Sequence, residues 1–294
     1  MTDPPCSGES GERRSIRRGV SGVRCYNGAM PRVLSDDEVG GFVRDGYLRL
    51  EHAFDGGLAA ACVTELWKSL EEDPDDASTW SQPVRRVLGS GSSLLLEAIN
   101  TPRLVGAIDD IVGVGQWQPR TIGYGTFPVR FPSSDDPGDA GWHIDGSFGD
   151  PPWYSVNLAS RGRTFLLLML FTDVGPDDAP TRIKVGSHLD VARALATTDA
   201  DGGPFDVTSG APAALERATA LAVGSAGDVF LCHPFLVHAA SWPHTGSSPR
   251  FIGQPCIHHP EGEWLGGYDY SDFSVPSAVK DAVRFALNER AELP

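Results

Sequence analysis

The segment Gly141-Trp142-His143-Ile144-Asp145-Gly146 sets an imidazole and a carboxylate two positions apart. On an extended strand, side chains alternate faces, so His143 and Asp145 point one way while Ile144 points into packing. One neutral imidazole and one carboxylate on the same side make two members of a 2-His-1-carboxylate metal set. Gly146 lets the chain turn away from such a site. The same triplet also arises as a plain surface pair in a chain this rich in acidic residues. A third ligand has to come from elsewhere, and the run Gly227 to Ala240 offers His238, after a short Pro-led turn, and His233. The ordinary reading of His233 is a strand-end histidine bonded to backbone. Downstream, Arg250 begins an apolar strand. A guanidinium aimed inward there needs a carboxylate, from a dicarboxylate ligand or from one of the chain's own acidic side chains.

The elements that must position these residues fall into two groups. Helical signals come first. Ser35-Asp36-Asp37-Glu38 reads as a capping box opening a helix through Asp45, stopped by Gly46. Tyr47 to Leu50 alternates as a strand, Asp55 caps a helix over about 57–71, and an acidic loop fills 73–83. Two helical pieces near 92–99 and 102–112 split around Pro102. Strands then dominate, near 117–130, 142–145, 163–171, 181–185, 219–223, 227–232 and 250–258, with helices near 188–196 and 277–290. Helices first and many short strands after predict a mainly β (α+β) fold, a β-sandwich or jelly-roll core with helices outside. Residues 1–33 are rich in Gly, Ser, Arg and Pro, lack apolar periodicity and read as a disordered extension. Residues 34–294 read as a single domain, and Met30 is a candidate true start.

Composition bounds the function. The 294 residues are 40% hydrophobic and 21% charged, with a formal net charge of −15. That charge argues against a nucleic-acid partner and leans towards a small-molecule substrate, although a local basic pocket can override the global field. No apolar run is long enough to span a membrane. The five cysteines, Cys6, Cys25, Cys62, Cys232 and Cys256, have no zinc or redox spacing, which suits a reducing cytoplasm. There is no Gly-x-Ser-x-Gly elbow, P-loop or His-Glu-x-x-His helix, and Gly123-Tyr124-Gly125 lacks the third glycine of a dinucleotide fingerprint.

Taken together, four ordered motifs resemble the phytanoyl-CoA dioxygenase family over about Ser35 to His259. They are Phe42-Val43-Arg44-Asp45-Gly46-Tyr47-Leu48, Trp142 to Gly146, Asp177 through Gly186-Ser187-His188, and Gly227-Asp228 through His238 to Arg250. The resemblance implies a double-stranded β-helix (jelly-roll, cupin-like) core. It implies Fe(II) held by His143, Asp145 and His238, with 2-oxoglutarate anchored by Arg250 and O2 consumed. The implied reaction is hydroxylation of an unactivated C–H bond, with release of succinate and CO2. Asp145 separates this chain from halogenating relatives, which carry a small residue there. Val185 stands where the family usually has Pro, which should alter a loop. Trp142, Phe148, Trp153, Tyr154 and Trp242 are candidate substrate contacts or ordinary packing. His188 reads as supporting or structural, and His258-His259 as a surface pair. Two other readings stay open: a cupin-like metal enzyme that does not use 2-oxoglutarate, and a non-catalytic jelly-roll binding protein.

Overall fold

A computed structural model describes residues 32–89, 92–121, 125–149, 154–260 and 266–288. Helices run over α1 (Asp36–Asp45), α2 (Gly56–Trp67), α3 (Ser93–Ile99), α4 (Pro102–Val112), α5 (Ser187–Leu195), α6 (Val207–Gly210), α7 (Pro212–Leu215) and α8 (Ala278–Leu287). Strands run over β1 (Tyr47–Leu50), β2 (Val84–Gly89), β3 (Gly125–Arg130), β4 (Phe165–Leu170), β5 (Arg182–Lys184), β6 (Thr219–Leu221), β7 (Val229–Cys232), β8 (His238–Ala239), β9 (Ile252–Gly253) and β10 (Cys256–Ile257). The extension read over 1–33, with the start at Met30, falls largely on 1–31, outside the described residues. Arg32 and Val33 are described: the Val33 and Leu34 N–H groups both donate to the Asp110 carboxylate.

The opening elements form as their residues dictate. Ser35 caps α1, accepting from the Glu38 N–H while Glu38 returns the bond. Gly46 ends the helix with φ +80, a left-handed conformation that glycine adopts without a side-chain penalty. The chain then enters β1, which pairs antiparallel with β7.

A five-stranded sheet runs β1-β7-β4-β10, with β9 also on β4. Strand β4, Phe165-Leu166-Leu167-Leu168-Met169-Leu170, is buried at every position because both its faces are covered. Phe165, Leu167 and Met169 join the large core that also takes residues from α1, α2, α4 and α8. Leu166, Leu168 and Leu170 face a smaller core with Ile183 of β5 and Leu236. That second core lies between this sheet and a three-stranded sheet, β6-β5-β8, while β2 and β3, with α3 and α4 between them in the chain, pair as a separate two-stranded sheet. The architecture is mixed α/β with three sheets.

Several elements differ from the sequence reading. Strand β2 was not expected: Arg85 and Arg86 break the apolar alternation, and the strand is fixed by its register with β3. Of the strand expected over 117–130, Gly125–Arg130 is a regular strand and Gln118 makes a single bridge, while 122–124 lie outside the described residues. Residues 142–145 make one bridge rather than a strand, and α2 stops at Trp67. At position 185, the Val185 N–H donates to Ala218 O (2.9 Å), a bond proline cannot make, and Gly186 takes the turn at φ +75. His258-His259 is not a surface pair. His259 is buried edge-on against Tyr268, and the His258 ring bonds Gly162 O. Among the described residues, no helix is long and apolar enough to cross a membrane.

Candidate active site

His238 lies on β8, opposite Ile183 of β5. His143 pairs with it from the other side: His143 N–H donates to His238 O and His238 N–H to His143 O, both at 3.0 Å. Directly opposed residues share a face, so the two rings lie together, centroids 4.5 Å apart. Ile144 turns into the core and Asp145 returns to the ring side, as the alternation requires. Asp145 Oδ1 lies 3.8 Å from Nε2 of both His143 and His238.

The tautomers follow from the backbone. His143 Nδ1 sits 2.8 Å from Gly141 O and His238 Nδ1 3.0 Å from Leu236 O. Beside a carbonyl oxygen, Nδ1 can only donate, which leaves each Nε2 lone pair directed towards Asp145. Burial holds His238 below the usual imidazole range and so keeps it neutral, despite the pull of Asp145. Burial pushes the Asp145 carboxyl up, but the adjoining Arg163 guanidinium, the largest opposing influence, holds it down, to about 2. Among the described residues this trio is the group whose ligand atoms could close on one metal, all within 4.8 Å of one another. Two neutral nitrogens and one anionic oxygen suit a divalent first-row ion with open positions. His143 is half exposed, so the open face is on its side.

Neighbouring side chains fix this geometry. Arg163 places Nη1 2.7 Å from Asp145 Oδ2 and donates from Nη2 to Gly146 O. Arg182 donates to Ala140 O and Ala240 O, tying together the segments that carry His143 and His238, and lies over the Trp142 ring at 4.6 Å. Ser187 Oγ accepts the Val237 N–H. Tyr154 packs on Gly146 so closely that a Cβ there would strike it.

A cavity of about 200 Å³ opens beside the trio, lined by His143 and His238 together with Arg86, Arg130, Arg250, Asp139, Thr181 and Gln254. Arg250 is 2% exposed and donates to Ala179 O. Burial, with Arg130 nearby, lowers its guanidinium to about 9. Nε of Arg250 and Nε of Arg130 have no hydrogen-bond partner.

The sequence-expected residues therefore divide clearly. His143, Asp145 and His238 come together, and Arg250 lines the same cavity. His233 does not join them: it is fully buried against His188 and accepts the Phe235 N–H on Nδ1. His188 packs below Gly46 and bonds Val43 O. Of the aromatics, Trp142 is held between Arg182 and Lys184, Phe148 lies by Arg161, Trp242 is exposed, and Trp153 falls outside the described residues. Sequence reasoning missed Arg130, Asp139, Arg163 and Arg182. An arginine closing an apolar run, as in Phe127-Pro128-Val129-Arg130, was the available signal.

The family model described as Phytanoyl-CoA dioxygenase (PhyH) matches residues 116–252, which contain all four of these residues. A search among curated proteins finds no match. Among solved structures, the epimerase SnoN from nogalamycin biosynthesis, in complex with Fe3+, alpha ketoglutarate and nogalamycin RO, is similar at 17% identity. Its TM-score is 0.55, over 82% of this chain and 96% of that one. EctD from S. alaskensis with bound Fe is similar at 17% identity and TM-score 0.55, over 80% of each chain. HygX from Streptomyces hygroscopicus, with nickel and 2-oxoglutarate bound, has 18% identity and TM-score 0.51, over 80% of this chain and 96% of that one. At such identities the likeness concerns the fold. With His143, Asp145, His238 and Arg250 gathered on one site inside the matched region, the chain is similar to the phytanoyl-CoA dioxygenase family over residues 116–252.

Proposed function

We propose that this protein is an iron(II)- and 2-oxoglutarate-dependent oxygenase acting on a small molecule, with His143, Asp145 and His238 as the iron ligands and Arg250 as the anchor of the cosubstrate. The observation that carries the reading is one cavity lined both by the two imidazoles of a metal-competent trio and by a buried guanidinium whose Nε has no partner. A molecule that chelates a metal through a 2-oxo acid and ends in a second carboxylate fits that lining. SnoN and EctD have been crystallised with 2-oxoglutarate or its equivalent, and with nogalamycin RO and 5-hydroxyectoine respectively, which supports a small-molecule substrate. The core is proposed to be a double-stranded β-helix, on the strength of the two sheets that enclose the smaller core. The three described cysteines are free, in keeping with a cytoplasmic site of action.

Bound iron would supply the oxygen chemistry: one O2 oxidises 2-oxoglutarate to succinate and CO2 and inserts its second oxygen into a substrate C–H bond. The chain's own residues do the rest. The Nδ1–H bonds to Gly141 and Leu236 aim both imidazoles, and Arg163 occupies the second oxygen of Asp145, leaving one for the metal. Arg250 holds the distal carboxylate and so fixes which way the keto acid presents itself. The half-exposed side of His143 is the side from which substrate approaches.

Anaerobic titration of the apo-protein with Fe(II) and then 2-oxoglutarate tests this. A weak visible charge-transfer band is expected in the wild type and absent in His143→Ala. If iron binds and 2-oxoglutarate gives no band, the cupin-like alternative replaces this one. Succinate release across a metabolite panel then identifies the substrate.

A further inference from the structure

The cavity holds more positive charge than one anchoring arginine explains. Arg130 and Arg250 sit directly opposite each other on neighbouring segments: Arg130 N–H donates to Arg250 O at 3.0 Å and Arg250 N–H to Arg130 O at 2.8 Å. Opposed residues of such a rung project to the same face, where like charges repel. Both residues are 2% exposed, so water does little to screen them. Pro128, two residues before Arg130, and Gln254, four residues after Arg250, continue the same wall, which Arg86 of β2 completes.

The protein supplies little to offset these charges. Asp139 is shared, accepting from Arg130 Nη2 at 2.6 Å and from Arg86 Nη2 at 2.8 Å. Arg250 donates to a neutral carbonyl, Ala179 O. Asp178 lies in the same region, but its carboxylate accepts the Gly175 N–H. Arg130 and the half-exposed Arg86 thus share Asp139, Asp178 reaches Arg250 only through space, and both buried Nε atoms are left with nothing to donate to. A buried donor without an acceptor costs about 1–3 kcal/mol, more when charged, so the pair is arranged for an anion that the chain does not itself provide.

We infer that Arg130 is a second anion-holding residue of this cavity. With Arg250 it forms a two-guanidinium cradle for a single carboxylate, and Asp139 is the counter-ion that steadies Arg130 from the far side. The inference rests on the 2-oxoglutarate reading for the identity of the ligand, and the cradle's chemistry is that of a dicarboxylate end. It makes selectivity for 2-oxo diacids over 2-oxo monoacids depend on two residues. It also lets the cradle bind a diacid before any metal is present.

The test uses the full chain, metal-free, titrated calorimetrically with glutarate, which has the second carboxylate and no keto group. Wild type is expected to bind glutarate at millimolar concentrations. Arg130→Met is expected to weaken glutarate, and 2-oxoglutarate on the iron-loaded protein, at least tenfold, or about 1.4 kcal/mol. Its iron affinity stays unchanged, and its preference for 2-oxoglutarate over 2-oxobutyrate shrinks. Arg130→Lys keeps the charge and the Asp139 pair, so it folds even if the Met variant does not. One ammonium cannot serve Asp139 and a ligand together, so Arg130→Lys also weakens glutarate severalfold. Wild-type affinity for glutarate and 2-oxoglutarate in Arg130→Lys overturns the cradle while leaving the oxygenase reading standing. Glutarate binding that depends on Arg130, in a protein that gives no charge-transfer band with iron and 2-oxoglutarate, keeps the cradle and sinks the oxygenase reading.

Discussion

The two oxygens of Asp145 have different neighbours, and for the proposed metal site the difference has a testable consequence. Oδ1 faces both imidazoles, while Oδ2 is engaged by Arg163. Replacing Arg163 with Gln releases Oδ2 and lets the carboxylate swing. Metal affinity should fall about 10- to 100-fold, as is usual when a ligand's own support is removed, and equilibrium dialysis with Fe(II) would measure it. Unchanged affinity would show that Arg163 is only structural. His188 gives a different kind of prediction. Burial, only partly offset by its bond to Val43, holds this imidazole down to about 4 from an ordinary 6.5. Its folded value is depressed, so its contribution to stability is complete above pH 6.5 and is lost as pH falls towards 4. The size is about 3 kcal/mol at 1.36 kcal/mol per unit. His233 and His259 are also held neutral by burial and steepen the same slope. Denaturant titrations at several pH values should therefore show a shallower acid loss in His188→Gln than in wild type. Parallel curves would rule this account out.

At the scale of elements, the α1–β1 corner and the Arg182 staple carry the site. Gly46 is left-handed, and a Cβ there would enter the His188 ring. Gly46→Ala should cost about 2 kcal/mol or more, from backbone strain plus the displaced imidazole. A thermal melt within a degree of wild type would contradict that. Arg182→Ala removes the bonds to Ala140 and Ala240, so iron binding should weaken more than global stability does. This scale also explains what the sequence could tell. The pairing of His143 with Asp145 was legible because period-two alternation is a local rule, whereas the run Gly227 to Ala240 offered both His233 and His238, and only the family resemblance singled out His238. Capping made α1 legible to the residue, from Ser35 to Gly46. Arg130 and Asp139 were not legible. Their roles exist only through the register of Arg130 against Arg250, a pairing between distant segments that local spacing does not encode. Strand β2 was hidden for the same reason. Val84-Arg85-Arg86-Val87 has no clean alternation, and its partner β3 supplies the order. The buried His259 was misread because the segment that covers it, around Tyr268, lies after the last strand.

Across the whole molecule, the charge distribution opposes itself. The chain carries −15 overall, yet its cavity is lined by three arginines and one aspartate. A dianion approaching from afar is repelled, and only at the mouth is it drawn in. The long-range part is screened by salt while the buried guanidinium contacts are screened much less. The association rate of 2-oxoglutarate should therefore rise between low and physiological ionic strength. Stopped-flow measurement on the iron-loaded protein checks this, and a falling rate would mean that the field at the mouth dominates.

Strand order sets when this molecule can first work. The first strand, Tyr47–Leu50, takes its place beside Val229–Cys232, and His143 has its main-chain partner in His238. Both closures wait for the final third of the chain to leave the ribosome, and contacts between such distant segments form slowly. A nascent chain stopped before His238 holds one imidazole and one carboxylate with nothing to oppose them. With the proposed ligand set, metal capture is then among the last events of biogenesis, and a chain truncated before His238 is expected not to sequester iron at this site.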